Sequence, residues 1–388
     1  MTYQRNAAGD VLSLTDGKGQ ITRYSYDQYG RLAAETLTDG RQRTYDYRTD
    51  NLLESVTEPD GTVVEFTYDT TKQLVSVSRG SQTTTYEYDA RGLLTKASNE
   101  VGVVTRTYDA AGRLVTENVN GETVAYTYNA ENELMSVSAL GQTRSYERDS
   151  RGLLTSMTAP EGPYNFGYDA LARRTSMSMP NGENVAYGYN VSGQPTSISH
   201  AGPYQNNLQY SYNARGLISN YSGKDFSWNY GYGPDGQLTS ADSALANERY
   251  QYDDAGNLIG DAQVYDEANR LLEDNTYQYQ YDQQGNLTTK VNKVSGEKTT
   301  YQRDDWDQLV TIERFTTSNA PSPNLTKSFT YGPLDRRWST TENGVKTDYV
   351  YDQSDRIAAL DQSGNVNQRV TFGPAVDEPF AITGQSST

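Results

Sequence analysis

The sequence contains no cysteine and a single histidine, His200. The first absence removes disulfides and thiolate metal centres without fixing the compartment. The second leaves any Ser-His-Asp machinery with one base, and His200 lies in SISHAGPY, where a surface loop is expected and no Gly-x-Ser-x-Gly elbow occurs. No Walker loop or dinucleotide fingerprint is present either. No apolar run approaches the roughly 18 residues of a spanning helix, and nothing near Met1 reads as a signal peptide. Positive charge is scarce: 33 Lys and Arg face 50 Asp and Glu, giving −17 overall. Nucleic-acid binding begins from a basic surface, so DNA and RNA are excluded as partners. Apolar side chains are also few. They make up 35% of the chain, 33 of them Tyr, and conventional cores draw on a larger share. Such polarity would suit disorder, unless a regular pattern imposes order.

A regular pattern is present. The stretch YSYDQYGRL (24–32) has the skeleton Tyr-x-Tyr-Asp-x-x-Gly-x-Leu, and YEYDARGLL (86–94), YTYNAENEL (126–134), YSYNARGLI (210–218), YQYDDAGNL (250–258) and YQYDQQGNL (279–287) repeat it. The Asp position recurs as Asn6, Asp27, Arg48, Asp69, Asp89, Asp109, Asn129, Asp149, Asp169, Asn190, Asn213, Gly233 and Asp253. A fixed spacing of this kind signals a repeat architecture. Function is therefore sought in the array.

Within a unit, Tyr24 and Tyr26 are two apart and share a face of an extended strand. Asp27 can bond the backbone two residues on, and Gly30 supplies a positive φ. The Gly position elsewhere carries Asn51, Asn132, Asn269, Asp307 or Asp355, which tolerate the left-handed region, whereas Lys72 and Ala172 depart from that rule. Leu32 and its counterparts open a return strand. A second turn follows at Asp16-Gly17, Asp39-Gly40, Asp60-Gly61, Asn120-Gly121, Asn181-Gly182 and Asn343-Gly344, dipeptides that signal a short hairpin, here with turns of about three residues. Each unit is thus expected to be two strands and two turns without helix. The sheet is expected to be a thin wall, wet on both faces and held by stacked Tyr and Leu.

About nineteen units of about 20 residues make one all-β repeat domain, 1–388, with no boundary expected inside it. Bulges or long loops are expected at 158–208, where Pro160, Pro163, Pro180, Pro195 and Pro203 enter. Shortened spacing at 254–282 predicts a dropped or truncated strand, and TTSNAPSPNLT (316–326) an inserted exposed loop. FTYGPLDRR (329–337) and VTFGPAVDEPF (370–380) replace Tyr-Asp by aromatic-Gly-Pro, and the tail from Gly384 is expected to fray. The chain reads as a segment of a longer array, carrying no toxin or protease domain of its own.

These units resemble the bacterial Rhs and YD-repeat family, which includes the shell subunits of insecticidal toxin complexes and the YD shell of teneurins. The resemblance implies tandem β-hairpins forming a long spiralling antiparallel sheet, part of a hollow shell or barrel. It further implies an exported bacterial protein whose shell encloses a C-terminal toxin or passenger, the expected partner. The alternative is a cell-surface adhesive or carbohydrate-binding array. The family's shell-closing segment with its catalytic aspartates finds no match, so no catalytic residue is assigned and the chain is expected not to be an enzyme.

The repeat-defining residues are Tyr24, Tyr26, Asp27, Gly30 and Leu32, Tyr86, Tyr88, Asp89, Gly92 and Leu94, and Tyr250, Tyr252, Asp253, Gly256 and Leu258. Their aspartates are read as turn caps, because one carboxylate per period does not make a calcium site; no metal or cofactor is expected. Adjacent acids at Asp253-Asp254 and Asp304-Asp305 diverge along the chain and do not form a glycosidase pair. Trp228, Trp306 and Trp338 are the candidates for stacking on sugar rings.

Overall fold

The structure, a computed structural model, describes residues 1–119, 121–260, 262–373 and 378–384. Asn120 of the Asn120-Gly121 turn, part of the second Gly-Pro unit and the tail beyond Gly384 lie outside the described residues. The described residues form strands and turns with no helix. A 25-stranded antiparallel sheet runs from Thr2 to Arg249, a two-stranded pair joins Gln251–Tyr252 to Leu258–Ile259, and a 12-stranded sheet runs from Val264 to Gly384. Strands pair with their neighbours in sequence, as Ile21–Tyr26 does with Val11–Thr15 and with Leu32–Thr36. Two compact units result: 1–122 with 252–388, and 123–251. The chain is all-β, as the repeat pattern requires.

Strand faces are unequal, which departs from the expected wall wet on both sides. In Val63–Tyr68, Val64 is buried and Phe66 and Tyr68 are half-buried, while Val63, Glu65 and Thr67 are exposed. The exposed face is knitted by hydroxyl pairs across strands, such as Thr107–Thr116 and Thr127–Ser136, both 2.6 Å. The drier face gathers Val56, Val64 and Val77 with Tyr45, Leu53, Phe66, Leu74, Tyr86 and Trp306. Small β-branched residues suffice because Tyr supplies the remaining area.

The prolines do not disrupt their hairpins. Pro163 lies inside the strand Gly162–Tyr168, opposite Thr158. Pairing of that strand with Arg174–Ser178 begins only at Asn165, so no amide is asked of Pro163 on that side. The longer loop of this region is 202–206, which contains Pro203. The first sheet ends just before the shortened stretch, at Arg249; from 251 to 273 the strands have two or three residues, and a five-residue strand returns at Tyr277–Tyr281. The inserted loop occupies 316–324, between Leu309–Phe315 and Leu325–Tyr331.

Candidate functional site

The Tyr-Asp turns share one set of bonds, with the turn after Tyr351 as an exception. The Asp27 amide donates to the Arg31 carbonyl (2.9 Å) and the Gly30 amide to the Asp27 carbonyl (3.0 Å). Asp27 Oδ1 accepts from the amides of Tyr29 (2.8 Å) and Arg31 (3.0 Å). One carboxylate oxygen thus holds two backbone donors. Asp89 does this for Arg91 and Leu93, and Asp253 for Ala255 and Asn257. The Leu93 amide, followed by a smaller opposing burial penalty and the Arg91 guanidinium, leaves the Asp89 carboxyl below its usual range. Gly30, Gly92 and Gly256 sit at φ +79, +84 and +89°. Lys72 and Ala172 sit there too, at +68 and +62°, so the backbone constraint holds where the residue type departs from it. Asp355 does not occupy that position. It opens the strand Asp355–Leu360 opposite Asp352, and Gln353 takes the left-handed conformation at +53°.

Several second turns reuse this design and are longer than the expected turn of about three residues, as at 16–20 between Val11–Thr15 and Ile21–Tyr26. In Asp16–Gln20 the left-handed residue is Gly19, with Asp16 as the cap. Gly17 is glycine for another reason: a Cβ there would lie 1.7 Å from the Asp254 carbonyl oxygen.

Leu32 and Leu94 open their return strands opposite Tyr26 and Tyr88, and a one-residue bulge follows each, at Ala33 and Thr95. Leu258 opens Leu258–Ile259, and Tyr250, flanking Gln251–Tyr252, gives its amide to the Thr239 carbonyl. The ladder between Leu32–Thr36 and Gln42–Tyr47 stops at Ala34–Thr44, short of Leu32. The Leu32 carbonyl is met instead by the hydroxyl of Tyr47 at 3.0 Å. The pattern recurs from Tyr26 to Val11, Tyr68 to Leu53, Tyr88 to Leu74 and Tyr108 to Leu94, at 2.7–2.9 Å. It reaches Tyr351 on Arg337 at 2.7 Å. The second Tyr of the motif is therefore a hydrogen-bond donor to the preceding hairpin, a role that Phe cannot fill. Arginines add a second tie between turns. Arg91 Nη1 reaches the Asp109 carbonyl (2.7 Å) and Arg151 Nη1 that of Asp169 (3.2 Å).

Within the unit built from 1–122 and 252–388, two runs of turns lie against each other. Lys18 pairs with Asp253 (2.7 Å), and Asn269 donates to Asp16 (3.1 Å). Thr38 donates to the Glu267 carbonyl (2.7 Å) and Arg41 to that of Gln283 (3.0 Å). Next come Arg79 with Asp307 (2.9 Å), Ser81 with Asp305 (3.1 Å) and Asn99 with the Tyr331 carbonyl (3.2 Å). Arg336 with Glu117 (2.7 Å) ends the series. Both members advance along the chain together, 219 to 253 residues apart in the hydrogen-bonded pairs. The second turns of the early hairpins thus meet the Tyr-Asp turns of the late ones, forming a seam. Its deepest point is Glu117, 1% exposed, which also takes two bonds from Arg106 at 2.8 and 2.9 Å. Asp253 is another anchor. Burial alone would raise its pKa, but Lys18 and Asn257 outweigh that and bring it down to about 2.

The three indoles are not open platforms. Trp338 is 5% exposed, packed with Val104 and Val119, and lies across Gly332, where a Cβ would meet it at 2.0 Å. The Gly of the first Gly-Pro unit is thereby explained. Trp306 is half-buried against the Val56–Val64–Val77 cluster, and Trp228 is half-buried opposite Tyr221. His200 is also not a loop residue. It belongs to Pro195–Ala201, with Nδ1 3.2 Å from Glu183, which is 2% exposed.

The model of the teneurin YD-shell family matches residues 1–84 and 77–222, more than half of the chain. The chain belongs to the teneurin YD-shell family. Over 74 residues this YD-shell chain is 36% identical to a double-stranded DNA deaminase toxin A of Burkholderia cenocepacia, covering 19% of the chain and 5% of that toxin. Among solved structures it is similar to TcdB2-TccC3-Cdc42, with a TM-score of 0.62 and 12% identity over 96% of this chain and 26% of the other. It is also similar to TcdB2-TccC3 without its hypervariable C-terminal region, at 0.53 and 14% over 99% and 25%. At such identities these likenesses establish the fold alone. The YD-shell chain spans about a quarter of those structures and a twentieth of the curated toxin. It is a structural segment of a shell.

Proposed function

We propose that this YD-shell segment is a stretch of wall that encloses a toxin or other passenger polypeptide of an exported bacterial protein until delivery. It would act by steric exclusion and carry out no catalysis. The seam is the observation that carries this reading. A strip of hairpins has free turns along both margins, and a barrier needs those margins closed. Within the unit of 1–122 and 252–388 the margins meet through ion pairs and backbone bonds, in step along the chain. The names of the similar proteins include a toxin, which fits a toxic passenger.

The test uses the natural full-length reading frame that contains this segment. A protease-resistant passenger fragment, exposed when the wall is denatured, is the expected result. Combined replacement Arg79→Ala and Arg336→Ala should admit protease without removing the passenger. A passenger digested at once in the native protein would sink the proposal. Surface adhesion through exposed indoles receives no support from burial of Trp338.

A further inference from the structure

A second feature of the same unit lies along the seam, between its early and late turns. A cavity of about 220 Å³ is lined by Val77, Thr84, Tyr86, Trp306, Gln308 and Asp335, together with Asn99 and the Gly332-Pro333 turn. Two of its walls are aromatic. Its polar groups are oxygens, amides and the Trp306 indole N–H, with no cationic side chain among the lining residues. Three oxygens there lack a partner within the chain, among the described residues. Thr84, 7% exposed, makes no side-chain hydrogen bond, nor does the Tyr86 hydroxyl. Asp335 has one oxygen taken by Gln308 Nε2 at 2.9 Å, which leaves the other available. Burial, and after it the charge of Asp335, raises the Tyr86 hydroxyl above its ordinary pKa.

The local field is negative as well. Trp306 is flanked by Asp304, Asp305 and Asp307, and Asp335 adds a fourth carboxylate, against Arg79 on Asp307, Arg303 on the Asp307 carbonyl and Arg336, which is turned to Glu117. A primary ammonium has three N–H donors and no acceptor, is attracted to aromatic faces, and matches a carboxylate. Its alkyl stem would lie on Val77 and the indole. A phosphate or carboxylate ligand would face the Asp335 carboxylate with no cationic lining side chain to offset it.

We propose that this cavity binds a primary ammonium carried on an alkyl chain, as on a lysine side chain or a free alkyl amine. The test titrates the folded chain with Nα-acetyl-lysine methylamide, with 1-aminobutane, and with the Nε-acetylated lysine derivative, read by heteronuclear NMR at Trp306 and Thr84. Saturable shifts at both residues with the lysine probe, weakened by salt, are expected. If 1-aminobutane matches the lysine probe, the ligand is a free amine; if it binds more weakly, the ligand is a polypeptide side chain. Asp335→Asn should weaken binding about tenfold or more, with an unchanged denaturation midpoint because Asp335 is exposed. Equal binding of the neutral acetylated probe, unchanged affinity in Asp335→Asn, or no shift at Trp306 would each overturn the assignment.

Discussion

At the scale of the residue, the repeat is written in backbone needs and not in side-chain chemistry. The left-handed position of the turn shows this where its occupant is not Gly. Ala172 stands at φ +62°, a conformation that costs an L-residue about 1–2 kcal/mol. Ala172→Gly should therefore stabilise the protein by up to about 1 kcal/mol, net of the added freedom of the unfolded chain. An unchanged or lower denaturation midpoint would refute that account of the turn. The tyrosine hydroxyls make the second case. Tyr47→Phe removes the donor to the Leu32 carbonyl and should destabilise by about 1 kcal/mol, the usual worth of such a bond. The paired change at Tyr45, two residues earlier on the same face, removes no bond to a carbonyl of the preceding hairpin and serves as the control. Aromatic mass is kept in both, so a difference between them isolates the hydroxyl.

At the scale of the element, the hairpins were legible and their neighbours were not. Alternation, the Asp cap and the Leu after the turn all act within one unit, so a single pass along the chain finds them. Lys72 and Ala172 looked like exceptions only because residue type was taken as the marker of φ. The Tyr-to-carbonyl bonds span 14 or 15 residues in most units, a separation that neither strand nor turn period reports. The seam is further out of reach, since Glu117 and Arg336 are 219 residues apart and nothing in either neighbourhood names the other. Glu117 tests whether that contact matters. It is 1% exposed between Arg106 and Arg336, so Glu117→Ala leaves two guanidiniums short of their carboxylate. A loss of about 3 kcal/mol or more is expected. Lys96→Ala, which breaks the exposed pair with Glu87, should change stability by less than about 0.5 kcal/mol. Similar losses in the two variants would mean that the seam is ordinary surface.

At the scale of the whole molecule, an excess of acid is tolerated because many carboxylates are engaged by the fold, and that engagement fixes how the protein meets low pH. Asp253 has the clearest signature, with a pKa of about 2 against an unperturbed 3.8. Burial alone would raise that value, and the bonds from Lys18 and Asn257 overcome it. A carboxyl whose pKa is lower in the folded state stabilises the fold fully above its unfolded value and loses that contribution as pH falls toward the folded value. Between about pH 4 and pH 2 the seam should therefore lose the Lys18–Asp253 contact, and the capped turns should weaken in the same direction, since Asp89 and Asp109 are also lowered. Lys18→Met separates the two effects. Above pH 4 it should be less stable than the parent, and the difference should shrink toward pH 2, where about half of the parent carboxyl is protonated, and vanish below it. Denaturant midpoints of both proteins across that range decide the matter. Parallel curves would show that the Lys18 pair carries no pH-dependent stability, and the acid response would then belong to the turns alone.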